Sequence, residues 1–198
     1  DAENLPVVWG EDRNIAWKTP IPGRGWSSPV VWGPDIWVTT ALETAASPEE
    51  KQQRLAGKKH EESLDVAKSV SFWTHSIAPD TGELKRSIKL FEVDHPQPIH
   101  RLNGYASPTP VIESGRLWCD FGAFGTVCVD TATARILWKR ELPIDHEVGP
   151  GSSPIIYGDL LILTRDGCDQ QYIAALDKRT GQTVWKTDRP PSDLADEF

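Results

Sequence analysis

The 198-residue chain carries a formal net charge of -8, with 38% hydrophobic and 25% charged residues, ordinary values for a soluble globular protein. That balance argues against nucleic-acid binding, which needs clustered Lys and Arg, and no apolar run approaches the ~18 residues of a membrane span. There is no methionine, and the first ten residues lack a charged-then-apolar leader pattern. A removed leader or a longer parent chain is expected.

The first readable element is RNIAWKT (13–19), whose Trp17 places an outer strand over 14–22. SPVVWGPDIW (28–37) follows: a proline, two β-branched residues, a turn, then a second apolar run. That pattern predicts a β-hairpin, with the proline at a strand start where its missing N–H is harmless. Between 41 and 70 an insertion interrupts the pattern, and SPEEKQQRLAGKKH within it predicts a short surface helix. Ser47 fits the N-cap, Pro48 the first helical position and Glu50 the capping-box partner. Arg54 stands four residues after Glu50, and Gly57 marks the stop.

APDTGELKR (78–86) is a degraded form of a motif that recurs intact as DTATARILW (130–138) and DKRTGQTVW (177–185). Asp, polar residues and Thr-Gly make a turn in which the carboxylate accepts a local N–H and Gly supplies a positive φ. Ala134 stands where the other copies have Gly82 and Gly181, so the same turn would put an L-residue at positive φ. TPVIESGRLW (109–118) and SPIIYGDLLI (153–162) repeat the first hairpin without a gap. In CDFGAFGTVC, a two-residue turn at Ala123 and Phe124 would set Cys119 opposite Cys128. Strand geometry would strain a disulfide there, so buried thiols are expected. Cys168 makes the cysteine count odd, and no disulfide framework is expected.

Each unit is two hairpins, and Pro110 and Pro154 stand 44 residues apart, which suits one blade of a β-propeller. The expected fold is all-β: a partial propeller of about three four-stranded antiparallel blades plus an extra N-terminal outer strand. The whole of 1–198 is one partial propeller. The outer strand is 14–22, the blades are 26–92, 105–141 and 151–187, and 188–198 leads toward a further blade. The strands are apolar almost continuously, as expected of sheets covered on both faces.

The combined SP[VI][VI] hairpin and D-x-x-T-G-x-x-x-W motif resembles the quinoprotein-like (PQQ-like) β-propeller repeat, over nearly the whole chain. The resemblance implies that Trp17, Trp138 and Trp185 dock on adjacent blades, over backbone left open by glycines such as Gly82 and Gly181. It also implies a larger propeller of seven or eight blades in a periplasmic or secreted protein. The family holds both quinone-dependent dehydrogenases and scaffolds such as the outer-membrane assembly lipoprotein.

A dehydrogenase of that type would require PQQ, Ca²⁺, an aspartate base and often adjacent cysteines. Cys119, Cys128 and Cys168 are scattered, and no carboxylate–amide cluster has ligand-like spacing. Asp145, His146 and Glu147 are consecutive on an extended chain and cannot share one ion. Asp166 and Asp169 read as turn-forming acids.

The links between blades offer the candidate ligand-binding residues: Arg24, Trp26, His100, Arg101, Asn103, Tyr105, Asp145, His146 and Glu147, gathered around a central channel. The reading is a non-catalytic binding or scaffold module with a protein or peptide partner, no cofactor and no metal. A PQQ-dependent oxidoreductase is the alternative. Open blade edges predict self-association.

Overall fold

The computed structural model describes residues 6–146 and 148–190. Three four-stranded antiparallel sheets and one two-stranded sheet make up its β-structure. The first blade is β1 (Val30–Trp32), β2 (Asp35–Ala45), β4 (Ala67–Ile77) and β5 (Leu84–Asp94), paired in that order. The second is β7 (Val111–Glu113), β8 (Arg116–Asp120), β9 (Thr126–Asp130) and β10 (Arg135–Arg140). The third is β11 (Ile155–Tyr157), β12 (Leu160–Asp166), β13 (Gln171–Asp177) and β14 (Thr183–Asp188). This is the partial propeller expected from the repeat.

The turns follow the sequence chemistry. Glu113 pairs with Arg116 across Ser114-Gly115, both at positive φ, the geometry whose twist matches a hairpin. In the second hairpins, Asp130 Oδ1 accepts from Thr133 N at 2.7 Å and Asp177 Oδ1 from Thr180 N at 2.8 Å. These N–H donors hold both carboxyls below the usual carboxylate range. Gly82, Ala134 and Gly181 have φ of 74°, 59° and 71°. The turn keeps one shape, and the alanine adopts it at a cost of roughly 1–2 kcal/mol.

Adjacent residues of β8 face different neighbours. Leu117 and Cys119 join a core with Trp37 and Phe72 of the first blade, whereas Trp118 joins Leu161, Leu163 and Leu176 of the third. Burial on both faces explains the unbroken apolar runs.

Several expected boundaries shift. Strands β2 and β4 are paired out to Ala45 and Ala67, so the excursion from the first blade is shorter than 41–70. Within it, α1 (Pro48–Leu55) is capped by Ser47 Oγ, which accepts from Glu50 N at 3.2 Å. Glu50 bonds Arg54 at 3.0 Å and His95 at 2.9 Å, and Arg54 donates to Ala67 O at 2.8 Å. The helix is therefore tied to the blade. Beyond it, β3 (Leu64–Asp65) pairs with β6 (Ile99–His100), strapping the excursion to the link between the first two blades.

Residues 14–22 have no ladder partner among the described residues and form no strand, with bends at both ends. The Cys119–Cys128 expectation is also corrected. The loop after β8 holds a 3-10 turn at Gly122–Phe124, so Cys119 faces Val127 and Cys128 faces Trp118. One step of register puts the thiols on opposite faces of the sheet, buried in different cores.

Candidate functional site

The links between blades meet on one face, together with the β8–β9 and β12–β13 loops. Trp26 N donates to Ala106 O at 3.0 Å, and the Trp26 ring lies over Gly104, where an added Cβ would stand 2.8 Å from it. Asn103 Nδ2 donates to Val148 O at 2.8 Å and His100 N to the same carbonyl at 3.2 Å. Gln97 Nε2 donates to Ile144 O at 2.8 Å, and Gln97 Oε1 accepts from His146 N at 3.0 Å. The three links are thus laced together in series.

That lacing occupies several of the predicted ligand residues. Tyr105 is buried, its hydroxyl donating to Gln97 O at 3.3 Å, and burial pushes its pKa up. It packs in the core with its hydroxyl engaged by the Gln97 carbonyl. Asn103 is a strut. His100 is half-buried, its Nδ1 accepting from Leu102 N at 3.1 Å. Arg24, Trp26, Arg101 and Asp145 are exposed, with Arg24 Nη1 3.6 Å from Glu43. Asp145 and His146 differ in exposure, as alternation on an extended chain requires, and Glu147 lies outside the described residues. Asp169 Oδ1 accepts from Asp145 N at 2.8 Å and Asp166 pairs with Arg189 at 2.8 Å.

Between the second and third blades this face opens into a cleft of about 190 Å³. Asp120, Arg165 and His146 line it with Ala123, Ile144 and Pro150. Arg165 is 1% exposed and grips Asp120 bidentately, Nη2 to Oδ1 at 2.7 Å and Nη1 to Oδ2 at 3.0 Å. Thr126 Oγ1 donates to Asp120 Oδ1 at 2.6 Å and accepts from Arg165 Nη2 at 3.1 Å. A buried pair of this kind persists only with such extra hydrogen bonds.

His146 is 6% exposed, edge-on to Phe124 with ring centroids 5.0 Å apart. Burial brings its pKa down to about 4, so it is neutral at pH 7. Its Nδ1 accepts from Gly149 N at 3.0 Å, which places the proton on Nε2. Among the described residues, neither that Nε2 nor Arg165 Nε, both buried, has a hydrogen-bond partner.

The opposite face holds the Asp–Thr–Gly turns. Trp138 lies against Gly181, where an added Cβ would be 2.7 Å from its ring, and its Nε1 donates to Lys178 O at 3.1 Å. Trp17 lies the same way on Gly82, with Nε1 2.6 Å from Pro79 O. Trp185 is 37% exposed on the outer strand of the third blade.

A family model described as Outer membrane protein assembly factor BamB matches residues 73–187, more than half of the chain. The chain belongs to that family. Two solved structures with TM-scores above 0.5 agree with the fold. A europium-containing methanol dehydrogenase aligns at a TM-score of 0.52 and 14% identity, over 84% of this chain and 25% of that one. Quinohemoprotein alcohol dehydrogenase from Comamonas testosteroni gives 0.52 and 16%, over 87% and 22%. BamB from Moraxella catarrhalis gives 0.47 and 15%, over 86% and 41%. The chain therefore spans about a quarter of the dehydrogenases' length and less than half of BamB's. No curated protein matches it in sequence.

Within this BamB-family chain, sequence reasoning located His146 but missed Asp120 and Arg165. A signal existed. With the hairpins aligned, Asp120 matches Thr164 and Arg165 matches Phe121, so opposite charges sit at successive positions of successive repeats. Among the described residues, no group of three or more His, Cys, Asp or Glu could hold a metal ion, and no helix is long and apolar enough to cross a membrane. Burial raises the Cys119 thiol's pKa and pushes that of Cys128 up to about 12, so neither is a ready nucleophile.

Proposed function

We propose that this chain is a non-catalytic binding module that engages a protein or peptide partner through the face formed by its blade links, outside the cytoplasm. One observation carries the reading. Asp120, the carboxylate buried in the cleft, already accepts three hydrogen bonds from Arg165 and Thr126. A carboxylate so engaged serves poorly as a general base or as a ligand to a hard cation. Asp120 therefore fits poorly as the base or the Ca²⁺ ligand that the dehydrogenase alternative requires, and no reaction step is derived through PQQ. The family's own description, an assembly factor of the outer membrane, supports both a protein partner and an extracytoplasmic location.

The test is a calorimetric titration of the protein with PQQ in the presence of Ca²⁺, followed by an assay with an artificial electron acceptor and simple alcohols. No saturable PQQ binding is expected. Stoichiometric binding with alcohol-dependent reduction of the acceptor would overturn the binding-module reading.

A further inference from the structure

The cleft between the second and third blades has the make-up of a recognition pocket for one side chain. Ala123, Ile144 and Pro150 give it apolar walls, and Asp120, Arg165 and His146 supply its buried polar groups. Two hydrogen-bond donors, His146 Nε2–H and Arg165 Nε–H, are buried without partners among the described residues, a condition that an acceptor oxygen would relieve. Asp120 Oδ2 accepts one hydrogen bond and can take another.

Charge decides which acceptor is suitable. The Arg165 guanidinium is matched by Asp120, and Asp166 on the cleft wall is matched by Arg189. Asp145 lies beside His146 and is exposed. With every cation answered and a carboxylate to spare, an incoming anion meets a field that repels it, whereas a neutral carbonyl does not. The volume of about 190 Å³ equals roughly six waters at ~30 Å³ each, enough for a short methylene stem and a carboxamide.

We propose that this cleft binds a neutral carboxamide, a Gln or Asn side chain of a peptide partner, with the amide oxygen on His146 Nε2–H and Arg165 Nε–H and the amide N–H on Asp120. The inference rests on the binding-module reading and names the chemistry that the module recognises.

N-acetyl-glutamine amide and N-acetyl-glutamate amide are the probes, titrated at pH 7.5 while the ¹⁵N resonance of His146 Nε2 is followed. The glutamine probe should shift that resonance saturably, and the glutamate probe should bind at least fivefold more weakly. Ala123→Leu, which fills the cleft without touching the ion pair, should weaken the glutamine probe at least tenfold. His146→Phe keeps a ring against Phe124 but removes the donor, and is read calorimetrically with the same expectation should Ala123→Leu fail to fold. Equal binding of both probes, no saturable shift, or undiminished binding in the folded variant would overturn the proposal. A peptide partner captured on this face with the cleft silent would sink this inference alone, and redox-active PQQ binding would sink the module reading instead.

Discussion

At the boundary between the second and third blades, Trp138 lies on Gly181 and Asp120 pairs with Arg165. At the boundary between the first and second, the matching positions hold Arg86 and Ala134, and Thr39 and Phe121. Arg86 Nη1 donates to Thr131 O at 2.8 Å and Ala132 O at 3.0 Å. Thr131 holds the repeat position of Lys178, whose carbonyl accepts from Trp138. One carbonyl is thus reached by an indole at one boundary and by a guanidinium at the other. The indole must lie flat on the turn and leaves no room for a Cβ. The guanidinium makes its bonds from a longer stem, and the methyl of Ala134 is tolerated in spite of its φ of 59°.

The ends of the inner strands show the converse exchange. Phe121 packs with Phe72 at 4.6 Å between centroids, in an apolar cluster, where the next boundary carries an ion pair. Backbone geometry fixes where blades must touch, and the chemistry of each contact can change as long as both partners change together. At the second boundary the change also leaves a cleft.

The largest difference between the boundaries should appear on truncation. Trp138→Ala removes a buried indole and should cost about 3–5 kcal/mol in urea unfolding. Arg86→Ala removes a solvent-exposed side chain that bonds two carbonyls and should cost about 1 kcal/mol. Similar losses for the two variants would break the comparison.

Acid should expose the second boundary next. His146 has a folded pKa of about 4, below the ~6.5 of an unfolded histidine. The unfolded chain therefore takes up the proton first. Stability is unaffected above pH ~6.5 and falls as pH drops toward 4, by on the order of 3 kcal/mol. His75 of the first blade, whose ring nitrogens meet Thr40 at 2.8 Å and Ser87 at 2.9 Å, is shifted in the same direction by burial. Unfolding at pH 7.5 and 4.5 should show a smaller acid loss for His146→Phe than for the wild type. An equal loss would mean that His146 is not the group responsible.

The smallest effect belongs to the first boundary. Ala134→Gly relieves positive φ and touches no indole, but removes a methyl packed against the first core, so thermal unfolding should show no net loss and a gain of up to ~1 kcal/mol. A clear loss would mean that the Ala134 methyl packs usefully.

The repeat itself was legible because hairpin turns and apolar runs are local signals. The Asp130 and Asp177 turns, the Ser47 cap and the three four-stranded sheets all follow from residues close in sequence. The cleft was not legible in that way. Asp120 and Arg165 are far apart in the chain; Asp120 reads as a lone charge at the end of an apolar strand, and Arg165 as half of a local pair with Asp166. Their pairing emerges only when blades are packed. The burial of Tyr105 was not legible either, since an aromatic ring in a link segment reads equally well as a channel residue and as the core residue it is. The step of register at Cys119 and Cys128 depended on a 3-10 turn in FGAFG that a two-residue hairpin model could not anticipate.

The pairing of indole with glycine is tested most directly by placing Gly181→Ala in two backgrounds and measuring urea unfolding. With Trp138 present, the added Cβ meets the ring as well as the strained φ, and the loss should be about 2–5 kcal/mol. With Trp138→Arg, which imitates the first boundary, the same substitution should cost the backbone term of about 1–2 kcal/mol and the milder contact with the flexible Arg140 stem, 3.0 Å from the added Cβ. Equal losses in the two backgrounds would contradict the claim that the tryptophan is what requires glycine there.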